Sequence, residues 1–125
     1  MGDEKMNATK HDIHERIYQF ILKVFRFISK LPKTFTSQQI IGQLIRSVTS
    51  MGANDQEANG TFTKADFIHC YTTVRKEGNE SLFWIRLLGD CNPVHFDEAK
   101  DLLKEGDEIV RIVTAIIINT KKIKQ

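Results

Sequence analysis

The sequence predicts an all-α protein, an antiparallel up-down-up-down four-helix bundle, and three observations carry that prediction. Apolar residues recur at helical spacing in four long stretches, short turn and cap signals separate those stretches, and the one β-branched run has no partner strand elsewhere. With 125 residues, residues 1–125 are read as one domain, since a chain of this size buries roughly two thirds of the surface it exposes when unfolded. Residues 1–10 are expected to be disordered and residues 121–125 to form a frayed basic tail. A composition of 41% apolar and 27% charged residues, with two prolines, belongs with globular rather than disordered chains.

In "HDIHERIYQFILKVFRFISKL" the period sends Ile13, Ile17, Phe20, Ile21, Val24, Phe27 and Ile28 to one broad face, and Pro32 marks the end. The second helix is expected to start at "TSQQ", where Thr36 and Gln39 have the form of a capping box. It carries Ile40, Ile41, Leu44, Ile45, Val48 and Met51 inward and runs to about Ala58. Asn59-Gly60 breaks it, and Thr63 followed by Asp66 repeats the capping-box form. The third helix aligns Phe67, Ile68, Tyr71, Val74, Leu82, Ile85 and Leu88 and runs to about Gly89. Pro93 suits the first turn of the fourth, whose apolar face is Phe96, Ala99, Leu102, Leu103, Ile109, Val110, Ile112, Val113, Ile116 and Ile117. Its run "VRIVTAIII" is β-branched, but the helical period continues through it, and Gly106 is expected to mark a kink or break.

The net charge of +2 hides an uneven distribution. No acidic residue lies between Glu15 and Asp55, while acid collects in "FDEAKDLLKEGDE" from Phe96 to Glu108, and Lys121, Lys122 and Lys124 make the end basic. Arg16, Lys23, Arg26 and Lys30 share one arc of the first helix, opposite its apolar stripe, and Lys33 extends the row. Such a row is ordinarily a solvated face. Multiplied around an oligomer it would touch phosphate backbones without sequence specificity, and salt would weaken the contact.

No constellation for catalysis is present. Asp66 with His69 is the lone pair at di-metal bundle spacing, and His11 and His14, one turn apart near the start, read as surface residues. A Gly-rich phosphate loop, a nucleophile beside an evident base and a cysteine pair at metal spacing are all missing. The chain is therefore read as a non-enzyme without metal or cofactor. Cys70, on the edge of an apolar stripe, and Cys91, in a turn, are read as free thiols of a reducing cytoplasm. The apolar run Ala115 to Ile118 is far too short for a membrane, which needs about 20 residues.

Beside the apolar stripe of the second helix runs a polar one, Gln43, Ser47, Ser50, Asn54 and Glu57, with Arg46 on its edge. A solvated face, a ligand site and a seam against a neighbouring helix or subunit are the three readings; small Ser, Asn, Gly and Ala side chains favour the seam. Antiparallel register sets Arg46 roughly level with residue 75 and so near Glu77 and Glu80, which share a flank with Trp84. An ion pair there would give the guanidinium a planar acceptor and fix helix register. A single Trp reads as core or subunit interface, because base-stacking platforms use several exposed aromatics.

"QLIRSVTSMGANDQEA" from Gln43 to Ala58 and "DFIHCYTTVRKEGNESLFWIRLL" from Asp66 to Leu88 resemble the four-helix bundle proteins encoded in intervening sequences of bacterial 23S ribosomal RNA genes. The similarity runs from Leu31 to Lys33 into the last helix. It rests on Arg-Ser-x-x-Ser-x-x-Ala-Asn-x-x-Glu-Ala and Lys-Glu-x-x-Glu-(Ser/Thr)-x-x-Trp taken together. The resemblance implies a left-handed bundle assembled into a barrel-like ring, commonly a homopentamer. It further implies kinship with the accessory protein of diversity-generating retroelements, whose basic pentamer binds nucleic acid and a reverse transcriptase. No catalytic residue carries over. Asp55 departs from the pattern, which usually has an apolar residue there. The expected function is a non-enzymatic oligomer that binds RNA or DNA through its basic faces, as an adaptor for a reverse transcriptase. The alternative is a protein-protein scaffold that does not bind nucleic acid.

Overall fold

A computed structural model describes residues 13–124. The expected disorder of residues 1–10, and His11 with them, lies outside the described residues. Four helices follow one another: α1 Ile13–Ser29, α2 Phe35–Ala58, α3 Lys64–Cys91 and α4 Phe96–Lys121, the last preceded by a 3-10 turn at Pro93–His95. Each packs on its neighbours in sequence, and α1 closes the ring against α4. Short connections force this up-down-up-down order, because a two- to eight-residue link can only return the next helix alongside the last.

The interior is built from the predicted stripes. Phe20, Phe27, Leu44, Val48, Met51, Tyr71, Val74, Ile85, Leu88, Ile109 and Val113 are almost completely withdrawn from water. Each large side chain buried this way stabilises the fold by roughly 1.5–3 kcal/mol before conformational entropy is charged against it. Ile45, expected inside, lies 39% exposed at the outer edge of the α2 stripe.

Two local expectations are corrected. The cap of α2 is Thr34, not Thr36: Thr34 has extended backbone (φ −72°, ψ 165°) and its hydroxyl accepts from the Ser37 amide at 3.2 Å. Thr36 already sits inside the first turn, and Ser37, rather than a second Thr cap, turns inward. α3 continues two residues past Gly89 to Cys91, its exposed last residue. Thr63, by contrast, caps α3 as its spacing suggests, accepting from the Asp66 amide at 3.1 Å.

Gly106 does not break α4, which runs through it without interruption. A Cβ there would lie 2.5 Å from Leu82 Cδ2 and 2.9 Å from Phe20 Cζ. The absent side chain lets α4 approach α1 and α3 closely, at the usual helix-interior cost of about 1 kcal/mol against Ala.

Two lysines finish helices. Lys33 Nζ donates to the Ile28 carbonyl at 2.8 Å and the Leu31 carbonyl at 3.1 Å, closing the open end of α1. Lys64 Nζ donates to the Lys121 and Ile123 carbonyls at the end of α4. Both ammonium groups sit where orphan carbonyls and the negative end of a helix dipole favour a cation.

Candidate nucleic-acid interface and its polar neighbours

α1 has two flanks of different chemistry, one toward α4 and one toward α2. On the α4 flank the predicted basic row meets the acidic start of α4. Arg16 donates from Nη2 and Nε to Glu105 at 2.8 and 3.2 Å and from Nη1 to Glu108 at 3.1 Å. Hydrogen bonding to Glu105 raises the Arg16 pKa in spite of partial burial. Lys30 Nζ donates to both oxygens of Glu98, at 3.0 and 3.1 Å. Lys23 and Arg26 are exposed and have no carboxylate within salt-bridge distance among the described residues. Together they border a groove of about 290 Å³ with Lys30, Glu98, Asp101, Leu102 and Glu105. Three cations thus face three carboxylates. Lys33, with its ammonium on the carbonyls of its own helix end, is not part of this groove.

On the α2 flank, Tyr18, Ile21 and Phe25 border a groove of about 470 Å³ with Thr49, Gly52 and Ala53. Its polar end explains Asp55. This carboxylate is 5% exposed, accepts from the Tyr71 hydroxyl at 2.8 Å, and lies 2.8 and 3.0 Å from His14 Nδ1. An ionised carboxylate can only accept, so Nδ1 carries the proton and the imidazole's other nitrogen is left as the acceptor when the ring is neutral. Burial, and then the hydrogen bond to Asp55, pushes the Tyr71 phenol well above its ordinary range and keeps it a donor. His14, read from the sequence as a surface residue, is 43% exposed and is also the α1 member of a tie that joins α1, α2 and α3.

The polar stripe of α2 faces α3. The Ser47 and Ser81 hydroxyls lie 2.8 Å apart in a fully buried position, each also within hydrogen-bond distance of a carbonyl one turn back on its own helix; with one proton apiece, one hydroxyl donates to its partner while the other donates to its carbonyl. Outside them Arg46 reaches Glu80 at 2.9 Å and Glu77 at 3.8 Å, and also donates to Gln43 Oε1 at 3.3 Å. Burial first, and the Glu80 charge second, pushes the Glu77 carboxyl up against the pull of Arg46. Ser50 and Asn54 bond to each other within α2, the Asn54 amide donating to the Ser50 carbonyl at 2.9 Å. Glu57 stays exposed. Trp84 is half-buried, edge-on to Phe83 at 5.0 Å, with an indole N–H that is buried without an acceptor among the described residues. Of the predicted seam, Arg46, Glu77 and Glu80 meet; Ser50, Asn54, Glu57 and Trp84 do not join them.

The model of the 23S rRNA-intervening sequence protein family matches residues 9–115. The chain belongs to that family. Its fold is also that of a crystal structure of "a protein with unknown function from S23 ribosomal protein family" of Bacteroides thetaiotaomicron VPI-5482. The two are 27% identical with a TM-score of 0.74, over 84% of this chain and 97% of the other. No curated protein matches the chain. Among the described residues of this family member no three His, Cys, Asp or Glu side chains gather as metal ligands, and no helix is long and apolar enough to cross a membrane. Cys70 is buried, and burial followed by the charges of Glu57 and Asp66 raises its thiol pKa; Cys91 is exposed.

Sequence reasoning missed five participants: His14 and Tyr71 around Asp55, and Glu98, Glu105 and Glu108 opposite the basic row. The register argument that brought Arg46 to Glu77 does not reach the three glutamates, because no short turn joins α1 to α4 and sets which of their residues stand level. No periodic signal marks the Asp55 cluster, whose members come from three helices.

Proposed function

We propose that this member of the intervening-sequence protein family is a non-enzymatic, self-associating bundle that holds nucleic acid by its phosphate backbone. The observation that carries the reading is the cation row of α1, Arg16, Lys23, Arg26 and Lys30, on one side of a single helix, with Lys23 and Arg26 unengaged by carboxylates among the described residues. One protomer supplies few contacts. Assembly into a ring, the pentamer implied by the family resemblance, would repeat them and raise the affinity without adding base specificity. Within the same proposal the assembly acts as an adaptor that presents RNA or DNA to a nucleic-acid enzyme such as a reverse transcriptase, in the cytoplasm.

A protein-protein scaffold is the second reading, and the apolar α2 flank favours it. Tyr18 is 59% exposed and Phe25 37% exposed beside the groove they border. The two readings differ in one titration. Fluorescence anisotropy with labelled RNA and DNA across a salt series is expected to show binding that falls steeply with salt and is weakened by Lys23→Glu with Arg26→Glu. Absence of binding at low salt would leave the scaffold. Light scattering in the same buffer tests assembly, and a monomeric mass would remove the repetition on which the nucleic-acid reading depends.

A further inference from the structure

The carboxylates opposite the basic row engage its cations with contacts of the kind a phosphate makes. Glu105 meets the Arg16 guanidinium with two hydrogen bonds, at Nη2 and Nε, the same two-pronged geometry by which a guanidinium holds phosphate. Glu98 presents both oxygens to Lys30. The Arg16 pair is the more enclosed of the two, with side chains 23% and 27% exposed, whereas Lys30 is 52% exposed. Between the two engaged cations on α1 stand Lys23 and Arg26, with no carboxylate in reach among the described residues, in the groove with Asp101.

Resting on the nucleic-acid reading above, we infer that the α1/α4 groove is the phosphate-contacting surface and that Glu98, Glu105 and Glu108 act there as built-in competitors for its cations. Lys23 and Arg26 take the first phosphates. Arg16 and Lys30 join only when phosphates displace the α4 carboxylates from them. The bundle therefore discriminates by charge density. A dense array of phosphates, such as a folded RNA presents, can outbid the intramolecular acids, whereas an isolated anion engages Lys23 and Arg26 alone. Asp101 adds to the repulsion that an incoming strand must overcome.

The test compares two full-length variants from which the same number of negative charges has been removed. Glu98→Gln with Glu105→Gln and Glu108→Gln frees Arg16 and Lys30; Glu57→Gln with Asp66→Asn and Asp90→Asn removes charge from α2 and α3 instead. Each is titrated with a fluorescein-labelled RNA hairpin over a salt series, after circular dichroism has established unchanged helicity. The groove variant is expected to bind more tightly than the charge-matched control. The gain should lie in the affinity itself: plots of log affinity against log salt for the groove variant and the wild type should run parallel, because phosphates engage Arg16 and Lys30 in both complexes. Glu98→Gln alone, at an exposed pair, frees only Lys30 and should give a smaller gain in affinity than the triple variant.

Binding by the groove variant where the wild-type chain binds weakly or not at all supports the inference. A groove variant that binds no better than the control overturns it and leaves the nucleic-acid reading intact. Failure of all the proteins to bind at low salt overturns both.

Discussion

The two flanks of α1 hold it in place by opposite means. Toward α2 a single carboxylate, Asp55, is shut away from water and satisfied by His14 and Tyr71; toward α4 three ion pairs stand at the surface, Arg16 with Glu105 and Glu108 and Lys30 with Glu98. A buried polar group is worth little while its partners are present and costs a great deal when one is lost. A solvated ion pair is worth little either way, because water and salt replace whatever is removed. The first flank thus governs whether the helices are held in one arrangement, and the second governs what the surface attracts.

Removing the carboxylate should produce the largest effect. Asp55→Ala strands the Tyr71 hydroxyl and the His14 N–H, and a loss of about 2–4 kcal/mol is expected in urea unfolding. Adding Tyr71→Phe should return part of that loss, since an absent donor costs less than an unpaired one. If Asp55→Ala proves no more costly than an exposed substitution, the distinction between the flanks collapses. Arg16→Ala, which removes the most enclosed of the surface contacts and the packing of a long side chain, is expected to cost about 1 kcal/mol. Lys30→Ala should cost at most about 0.5 kcal/mol in the same assay, while reducing the salt slope of RNA binding.

Glu77, between α2 and α3, is an intermediate case with a definite sign. Its carboxyl is raised on folding by burial and by Glu80, so the folded state holds the proton more tightly than the unfolded chain does. Ionising it at neutral pH works against the fold, and the opposition disappears once the pH falls below the ordinary glutamate range near about 4.3, where both states are protonated. Glu77→Gln, which leaves the 2.9 Å pair of Arg46 with Glu80 in place, is expected to raise the melting temperature at pH 7. The increment should shrink as the pH is lowered through the carboxylate range. A variant that melts lower than the wild type at pH 7 would show that Arg46 outweighs the burial.

The helices were legible in the sequence because each announces itself locally. The stripe of Ile17, Phe20, Val24 and Phe27, the Asn59-Gly60 break and the Thr63 cap are decided within a turn or two of chain. The pairing of Arg46 with Glu80 was within reach too, since antiparallel register across a short turn fixes which residues stand level. Asp55 was not. Its position on the apolar side of α2 looked like a defect, and the histidine and phenol that accommodate it come from helices 41 and 16 residues away. Gly106 misled for a related reason: a glycine that breaks a helix and a glycine that admits a neighbour look the same in one dimension, and only Phe20 and Leu82 tell them apart. The basic row was visible as a pattern on one helix, while its neutralisation is a property of two.

The Asp55 tie also bears on how sequences of this kind can change. Replacing the carboxylate alone strands two donors, and replacing either donor alone leaves a buried anion poorly neutralised, so each single step passes through a less stable intermediate. Positions 14, 55 and 71 are therefore expected to vary as a set: among homologues, an apolar residue at 55 should travel with the loss of the histidine and of the phenolic hydroxyl. Three helices that meet nowhere in the linear chain would then share one inherited character.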